Sequence, residues 1–212
     1  MKQINVFMVD DHELILEGIR KTLSLVQEMS IVGEARSAEQ LLGGSVAKNA
    51  DIILLDIDLP GRSGLEALVE VKAVFPQARI LFLSMFPEDQ FAVRALKAGA
   101  HGYVTKKAVA QELVDAIRTI AAGGKYVSPG VEQQLLREIG YNEGRGPLET
   151  LSDRELSVLR LIARGKSAGA IAAQLSLSVS TVTTYRSRLL KKLDMKTNAE
   201  LVRFALENRI IM

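Results

Sequence analysis

The sequence predicts an α/β fold, a doubly wound five-stranded parallel sheet, followed by a small all-α helix-turn-helix domain. Three observations predict it. Strand-like and helix-like stretches alternate through about residue 122, Gly123-Gly124 interrupts the alternation, and from Leu151 onward the apolar residues recur at helical spacing.

The elements follow in order. Ile4–Val9 is an apolar strand, and Glu13–Leu25 a helix whose Leu16, Ile19, Leu23 and Val26 share a face. Ile31–Ala35 reads as a short strand, and Ala38–Lys48 as a weaker helix broken by Gly43-Gly44. Ile52–Leu55 is apolar at every position, as a central strand covered on both faces requires. Leu65–Phe75 is helical, Arg79–Leu83 a strand, Asp89–Ala98 a helix, Gly102–Thr105 a strand and Val109–Ala122 an amphipathic helix. Right-handed crossovers then give the doubly wound sheet, in which function gathers at the carboxyl ends of the strands. Ser128-Pro129 starts a short helix over Gly130–Ile139, and Gly140–Pro147 reads as a flexible joint. Four helices follow, Arg154–Ala163, Ala168–Leu175, Ser180–Leu193 and Asn198–Asn208.

Composition excludes several classes. With 212 residues, 48% hydrophobic and 25% charged, the chain is an ordinary globular protein of two-domain length. It has no cysteine, hence no disulfide framework, thiolate metal site or cysteine nucleophile. No apolar run approaches the roughly 18 residues of a membrane span, and the N-terminus enters a strand without a secretory leader, so a cytoplasmic location is expected. The net charge of +2 conceals an asymmetry. Met1–Gly144 carries 15 Lys+Arg against 19 Asp+Glu, and Arg145–Met212 carries 12 against 6. An acidic front and a basic tail suggest a regulatory or catalytic module followed by an anion-binding one.

The acidic front has a focus. Asp10-Asp11 follows the first strand and Asp56 the third, so neighbouring central strands would bring three carboxylates to one edge. Crowded carboxylates call for a cation, and hard oxygen ligands suit Mg2+. Lys106 after the fifth strand and Ser84 at the end of the fourth add a cation and a hydroxyl. Such a set can accept a phosphoryl group on an aspartate. His12 and His101 lack partner ligands at metal spacing and are read as surface or supporting residues.

Val9-Asp10-Asp11-His12, the stretch from Asp51 through Asp56 and Asp58 to Pro60-Gly61 and Gly64, Leu83-Ser84, and Gly102-Tyr103-Val104-Thr105-Lys106 resemble the flavodoxin-like receiver domain of bacterial two-component response regulators, over about residues 4–122. The resemblance implies Asp56 as phosphoacceptor, and Mg2+ held by Asp11, Asp56 and the backbone carbonyl of Asp58, with Asp10 helping through water. It implies Ser84 and Tyr103 as switch residues and Lys106 as the phosphate-binding lysine. Phosphorylation would draw Ser84 toward the new oxygens and let Tyr103 turn inward.

In the tail, at about 100° per residue, Val182, Tyr185, Arg186, Leu189 and Leu193 share one face of the second helix of the pair. Ser180, Thr184, Ser187 and Lys191 lie opposite, flanked by Thr183 and Arg188. Such a face suits the major groove; the same pattern also describes a small bundle with a solvated polar face. Leu151-Ser152-Asp153-Arg154-Glu155, Val158-Leu159, Gly165, Ile171-Ala172, Leu175, Ser178, Thr181-Val182, Tyr185 and Lys192-Leu193 resemble the LuxR-type helix-turn-helix over about residues 148–212. The whole order is similar to NarL/FixJ-class response regulators. That resemblance implies base contacts from Thr183, Thr184 and Ser187, and backbone contacts from Thr181, Tyr185, Arg188, Lys191 and Lys192.

The resulting expectation is a DNA-binding response regulator with a receiver at 1–124, a linker at 125–147 and a DNA-binding domain at 148–212. A sensor histidine kinase would phosphorylate Asp56 and thereby control dimerisation and transcription. The expected partners are that kinase, double-stranded DNA, a second copy of the chain and RNA polymerase, with no membrane. Asn198–Asn208, through Leu201, Val202, Ala205 and Leu206, either dimerises the head or packs on its own domain. No enzyme activity is expected beyond self-phosphorylation from a phosphodonor and hydrolysis of the chain's own aspartyl phosphate. Two alternatives are a phosphohydrolase forming an aspartyl phosphate at Asp56-Ile57-Asp58, and a regulator independent of phosphorylation.

Overall fold

The computed structural model describes residues 3–44, 46–85, 88–107, 110–133, 150–208 and 210–211. The chain divides into two compact units, Met1–Tyr141 and Asn142–Met212.

In the first unit five strands, β1 (Ile4–Val9), β2 (Met29–Ala35), β3 (Ile52–Leu55), β4 (Arg79–Ser84) and β5 (Gly102–Thr105), form one parallel sheet in the order β2-β1-β3-β4-β5. Helices α1 (Glu13–Ser24), α2 (Ala38–Gly43), α3 (Gly64–Val74), α4 (Glu88–Lys97) and α5 (Ala110–Ala121) connect and flank them. All four residues of β3 are buried, as its unbroken apolar run requires. One core layer joins Val6, Met8, Leu54 and Val104 of the sheet to Leu16 and Leu23 of α1 and Ile117 and Ile120 of α5.

Boundaries differ from the sequence pattern where polar or glycine residues obscured it. β2 begins at Met29 because Met29 and Ser30 pair with Ile4 and Asn5, ahead of a register shift between Val6 and Phe7. The helix expected to reach Lys48 stops at Gly43, and the extended backbone of Gly44 separates it from a single 3-10 turn, Val46–Asn49. Beyond α5 the chain returns to the sheet. Tyr126 bridges Gly102, donating its N–H to the His101 carbonyl at 2.9 Å and accepting from the Tyr103 N–H at 3.3 Å. Gly102 is needed there, because a Cβ would lie 2.8 Å from the Tyr126 carbonyl oxygen. Ser128 then caps a helical start at residues 129–133, its carbonyl accepting from the Glu132 N–H at 3.0 Å. The rest of the helix expected over Gly130–Ile139, and the joint at Gly140–Pro147, lie outside the described residues.

The described residues of the second unit form α6 (Asp153–Ala163), α7 (Ala168–Gln174), α8 (Val179–Lys192) and α9 (Asn198–Glu207). Each starts on a hydroxyl cap: Ser152, Ser167, Ser178 and Thr197 accept the N–H three residues on, and Glu155 and Glu200 complete capping boxes. Leu156, Leu159, Ile171, Leu175, Val182, Leu189, Leu201 and Ala205 are buried between them. The turn from α7 to α8 carries Ser176 at φ 52, with the Leu177 N–H bonded to the Ala172 carbonyl at 2.8 Å, closing α7 and setting the angle of α8.

Candidate functional site

The parallel register decides the chemistry of the sheet edge. β1 pairs with β3 so that Val9 lies opposite Leu55, and the Asp56 N–H bonds to the Val9 carbonyl at 2.9 Å. Asp10 and Asp56, each the first residue past its strand, are therefore neighbours. At the other side Ser84 pairs with Thr105, and the Lys106 N–H bonds to the Ser84 carbonyl at 2.8 Å. Two adjacent strand ends thus supply carboxylates and two supply a hydroxyl and an ammonium, as the sequence pattern requires.

Lys106 Nζ stands 2.5 Å from Asp10 Oδ2 and 2.7 Å from Asp56 Oδ2, and all three side chains are almost wholly buried. Burial, with the Asp10 carboxylate adding to it, pushes Asp56 up to about 6 against the pull of Lys106 and of the Asp58 backbone N–H. Burial alone would depress the Lys106 ammonium, but Asp56 and Asp10 hold it above the usual lysine range. Gly64 keeps the loop tight: a Cβ there would lie 2.0 Å from the Asp56 carbonyl oxygen, so no other residue lets α3 begin so close to it.

Asp10, Asp11, His12 and Asp56 each offer a ligand atom within 4.8 Å of the others. Asp56 Oδ1 is buried and accepts no hydrogen bond. Hard oxygen donors with one buried oxygen unsatisfied fit a small hard cation, which would satisfy that oxygen. His12, read from sequence as peripheral, belongs to this group. Its Nδ1 is 3.1 Å from Asp10 Oδ1 and 2.8 Å from Asp11 Oδ1. Only adjacency to Asp10-Asp11 hinted at this. His101 is elsewhere, its Nδ1 accepting from the Ile80 N–H at 3.0 Å. Asp58 is half-buried two residues beyond Asp56, and Ser84 is wholly buried. Tyr103, the expected second switch residue, is buried at 0% exposure.

In the second unit α8 buries Val182 and Leu189 and half-buries Thr181, Tyr185 and Arg186. Thr183, Thr184, Ser187, Arg188 and Lys191 are exposed on the opposite side, where the helical wheel puts them. Arg186 Nε donates to Asn198 Oδ1 at 2.6 Å, tying α8 to the start of α9. Arg188 lies 5.9 Å over the Tyr185 ring. Lys192 is engaged within the unit: its ammonium is 2.6 Å from Glu155 Oε2 and 3.0 Å from the Thr150 carbonyl oxygen. The sequence separation of 37 residues hid that pair.

A parallel sheet with buried carboxylates and a lysine at its carboxyl edge, followed by a helix-turn-helix with an exposed polar helix, defines a two-component, DNA-binding transcription regulator. Residues 6–118 match the family "Response regulator receiver domain" and residues 149–205 the family "Bacterial regulatory proteins, luxR family". The chain belongs to the NarL/FixJ class of response regulators. It is 35% identical over 206 residues to the response regulator UvrY of Escherichia coli (strain K12), covering 97% of this chain and 94% of UvrY. It is also 35% identical over 209 residues to the response regulator GacA of Pseudomonas viridiflava, covering 98% of each. Among solved structures, RcsB from Salmonella enterica serovar Typhimurium, bound to promoter P1flhDC in the presence of phosphomimetic BeF3-, superposes with a TM-score of 0.60 at 27% identity. That match covers 96% of this chain and 98% of RcsB. Among the described residues no helix is long and apolar enough to cross a membrane.

Proposed function

We propose that the chain is a phosphorylation-controlled transcription factor, with a receiver at 1–124, a linker at 125–147 and a DNA-binding head at 148–212. The observation that carries the reading is Asp56: buried, with one oxygen on Lys106 and the other unsatisfied. A sensor histidine kinase or a small acyl phosphate is the donor. The Asp56 carboxylate attacks phosphorus, the donor leaves with the electron pair of its former bond, and an aspartyl phosphate remains until water hydrolyses it. Lys106 and the Ser84 hydroxyl would each hold a phosphoryl oxygen. Asp11, Asp56 and the Asp58 carbonyl would hold Mg2+, with Asp10 assisting through water. When bound, the ion offsets charge on the transferred group. Self-phosphorylation and self-hydrolysis are the only catalysis this reading includes.

In the head, Thr183, Thr184 and Ser187 face bases, while Thr181, Tyr185, Arg188 and Lys191 face phosphates. Lys192 joins them only by leaving Glu155. One short recognition helix reads few base pairs, so two heads on paired half-sites are required. The working form is therefore a homodimer, as the double RcsB dimers in a solved complex with two DNAs suggest by analogy. RNA polymerase is the downstream partner and the cytoplasm the location.

Acetyl phosphate with Mg2+ should label the wild-type chain. Asp56→Asn and a chelator should each abolish the label, and phosphorylation should tighten binding to promoter DNA. Undiminished labelling of Asp56→Asn would remove Asp56 as acceptor, and identical DNA affinity with and without the label would remove the switch.

A further inference from the structure

The outward hydroxyls of α8 have already committed their protons. Thr183 Oγ1 donates to the Val179 carbonyl, Thr184 Oγ1 to the Ser180 carbonyl and Ser187 Oγ to the Thr183 carbonyl, each at 3.0 Å. Ser180 Oγ sits 2.7 Å from Ser178 Oγ, within the cap of the helix. A hydroxyl bonded back to the preceding turn keeps its lone pairs for a partner, and a threonine also keeps its γ-methyl group. The middle of the exposed face therefore accepts hydrogen bonds and presents methyl groups, but offers no proton without breaking an intrahelical bond. The proton donors beside it are the cations Arg188, drawn over Tyr185, and Lys191 in the last turn.

The base edges of the major groove respond differently to such a surface. An A·T pair shows the adenine N6 amine as a donor and the thymine methyl together. A G·C pair shows the cytosine amine beside two guanine acceptors and no methyl. Against guanine O6 and N7 the hydroxyl oxygens would meet lone pair to lone pair. We infer that Thr183, Thr184 and Ser187 read A·T pairs through adenine amines and thymine methyl groups. Guanine finds no proton donor among them, and the flanking cations Arg188 and Lys191 serve the phosphates. The inference rests on the DNA-binding reading above and specifies the bases it takes.

The test selects bound duplexes from a random pool with the full phosphorylated chain, then repeats the selection with Thr184→Ser and Thr184→Val. Positions whose preference changes with residue 184 are the ones it reads. In the selected site, deoxyuridine in place of each thymine removes only the methyl group. The wild type should select A·T at those positions and lose about fourfold in affinity at the contacted thymine, the value of one buried methyl group. Thr184→Ser should no longer distinguish thymine from uracil there, whereas Thr184→Val should still do so. A selected site with G·C at the positions sensitive to residue 184, or equal affinity for thymine and uracil duplexes, overturns the inference while leaving DNA binding intact. A pool that enriches no sequence overturns the DNA-binding reading together with it.

Discussion

The acidic edge of the sheet and the exposed face of α8 solve opposite problems with opposite materials. At the sheet edge Asp10, Asp56 and Lys106 are stripped of water and held within 2.7 Å contacts, so each charge governs the energy of the others. On α8 neutral hydroxyls are exposed, their protons settled on their own backbone, and the cations stand at the flanks. The first arrangement suits a site altered by one covalent charge, because little solvent screens the change. The second suits reading a surface whose chemistry is already fixed. Perturbing a charge should therefore matter far more in the first unit than in the second.

The largest effect should come from Lys106→Met. Removing the ammonium leaves Asp10 and Asp56 buried without their shared cation, and breaking a buried ion pair costs about 3 kcal/mol or more. Chemical denaturation at pH 7.5 in chelator should show that loss, and millimolar Mg2+ should restore part of it by supplying another cation. A change within 0.5 kcal/mol, typical of a surface substitution, would end the contrast between the two units.

Asp56→Asn should do the reverse. The folded chain holds Asp56 at about 6, above an ordinary carboxylate. The native state therefore binds more protons than the unfolded one between roughly pH 4 and 6, and stability falls as pH rises through that window. The cost of ionising Asp56 is fully present above the folded value and absent below the unfolded one. In chelator the asparagine variant should be more stable than wild type by about 3 kcal/mol at pH 7.5, and the two should converge near pH 4. Parallel stability curves across that range would contradict the buried-carboxylate account.

These two residues also mark how far the sequence alone reached. Asp10, Asp56, Ser84 and Lys106 were legible because each stands at a strand end, and in a parallel sheet neighbouring strand ends share one edge. The run Ile52–Leu55 announced the central strand in the same local way. What stayed hidden depends on contacts between distant segments or on rotamers. Tyr126 docks on Gly102 after a glycine pair that reads only as a break. The proton directions of Thr183, Thr184 and Ser187 leave no trace in residue order, and neither does the ion pair of Lys192 with Glu155. Tyr103 was placed correctly on its strand, but its burial follows from side-chain packing rather than from any period of two or 3.6.

Glu155→Gln offers the smallest effect and tests the second unit on the first unit's terms. Glu155 is nearly buried, yet its partner Lys192 is 39% exposed. Burial raises the Glu155 carboxyl, but the hydrogen bond from Lys192 and those from Ser152 outweigh it and hold the group below the usual range. A depressed carboxyl stabilises the fold above its unfolded value, and that contribution fades as pH falls through the folded one. Glutamine keeps the shape and can still accept from the Ser152 N–H, so the loss should be about 1 kcal/mol at pH 7, shrinking toward pH 3. The freed Lys192 ammonium adds a cation for phosphates, so the same variant should bind nonspecific duplex DNA slightly more tightly and with a steeper salt dependence. An unchanged salt slope would mean that Lys192 reaches the backbone while still paired, and that even the half-exposed charges of the head serve the nucleic acid before the fold.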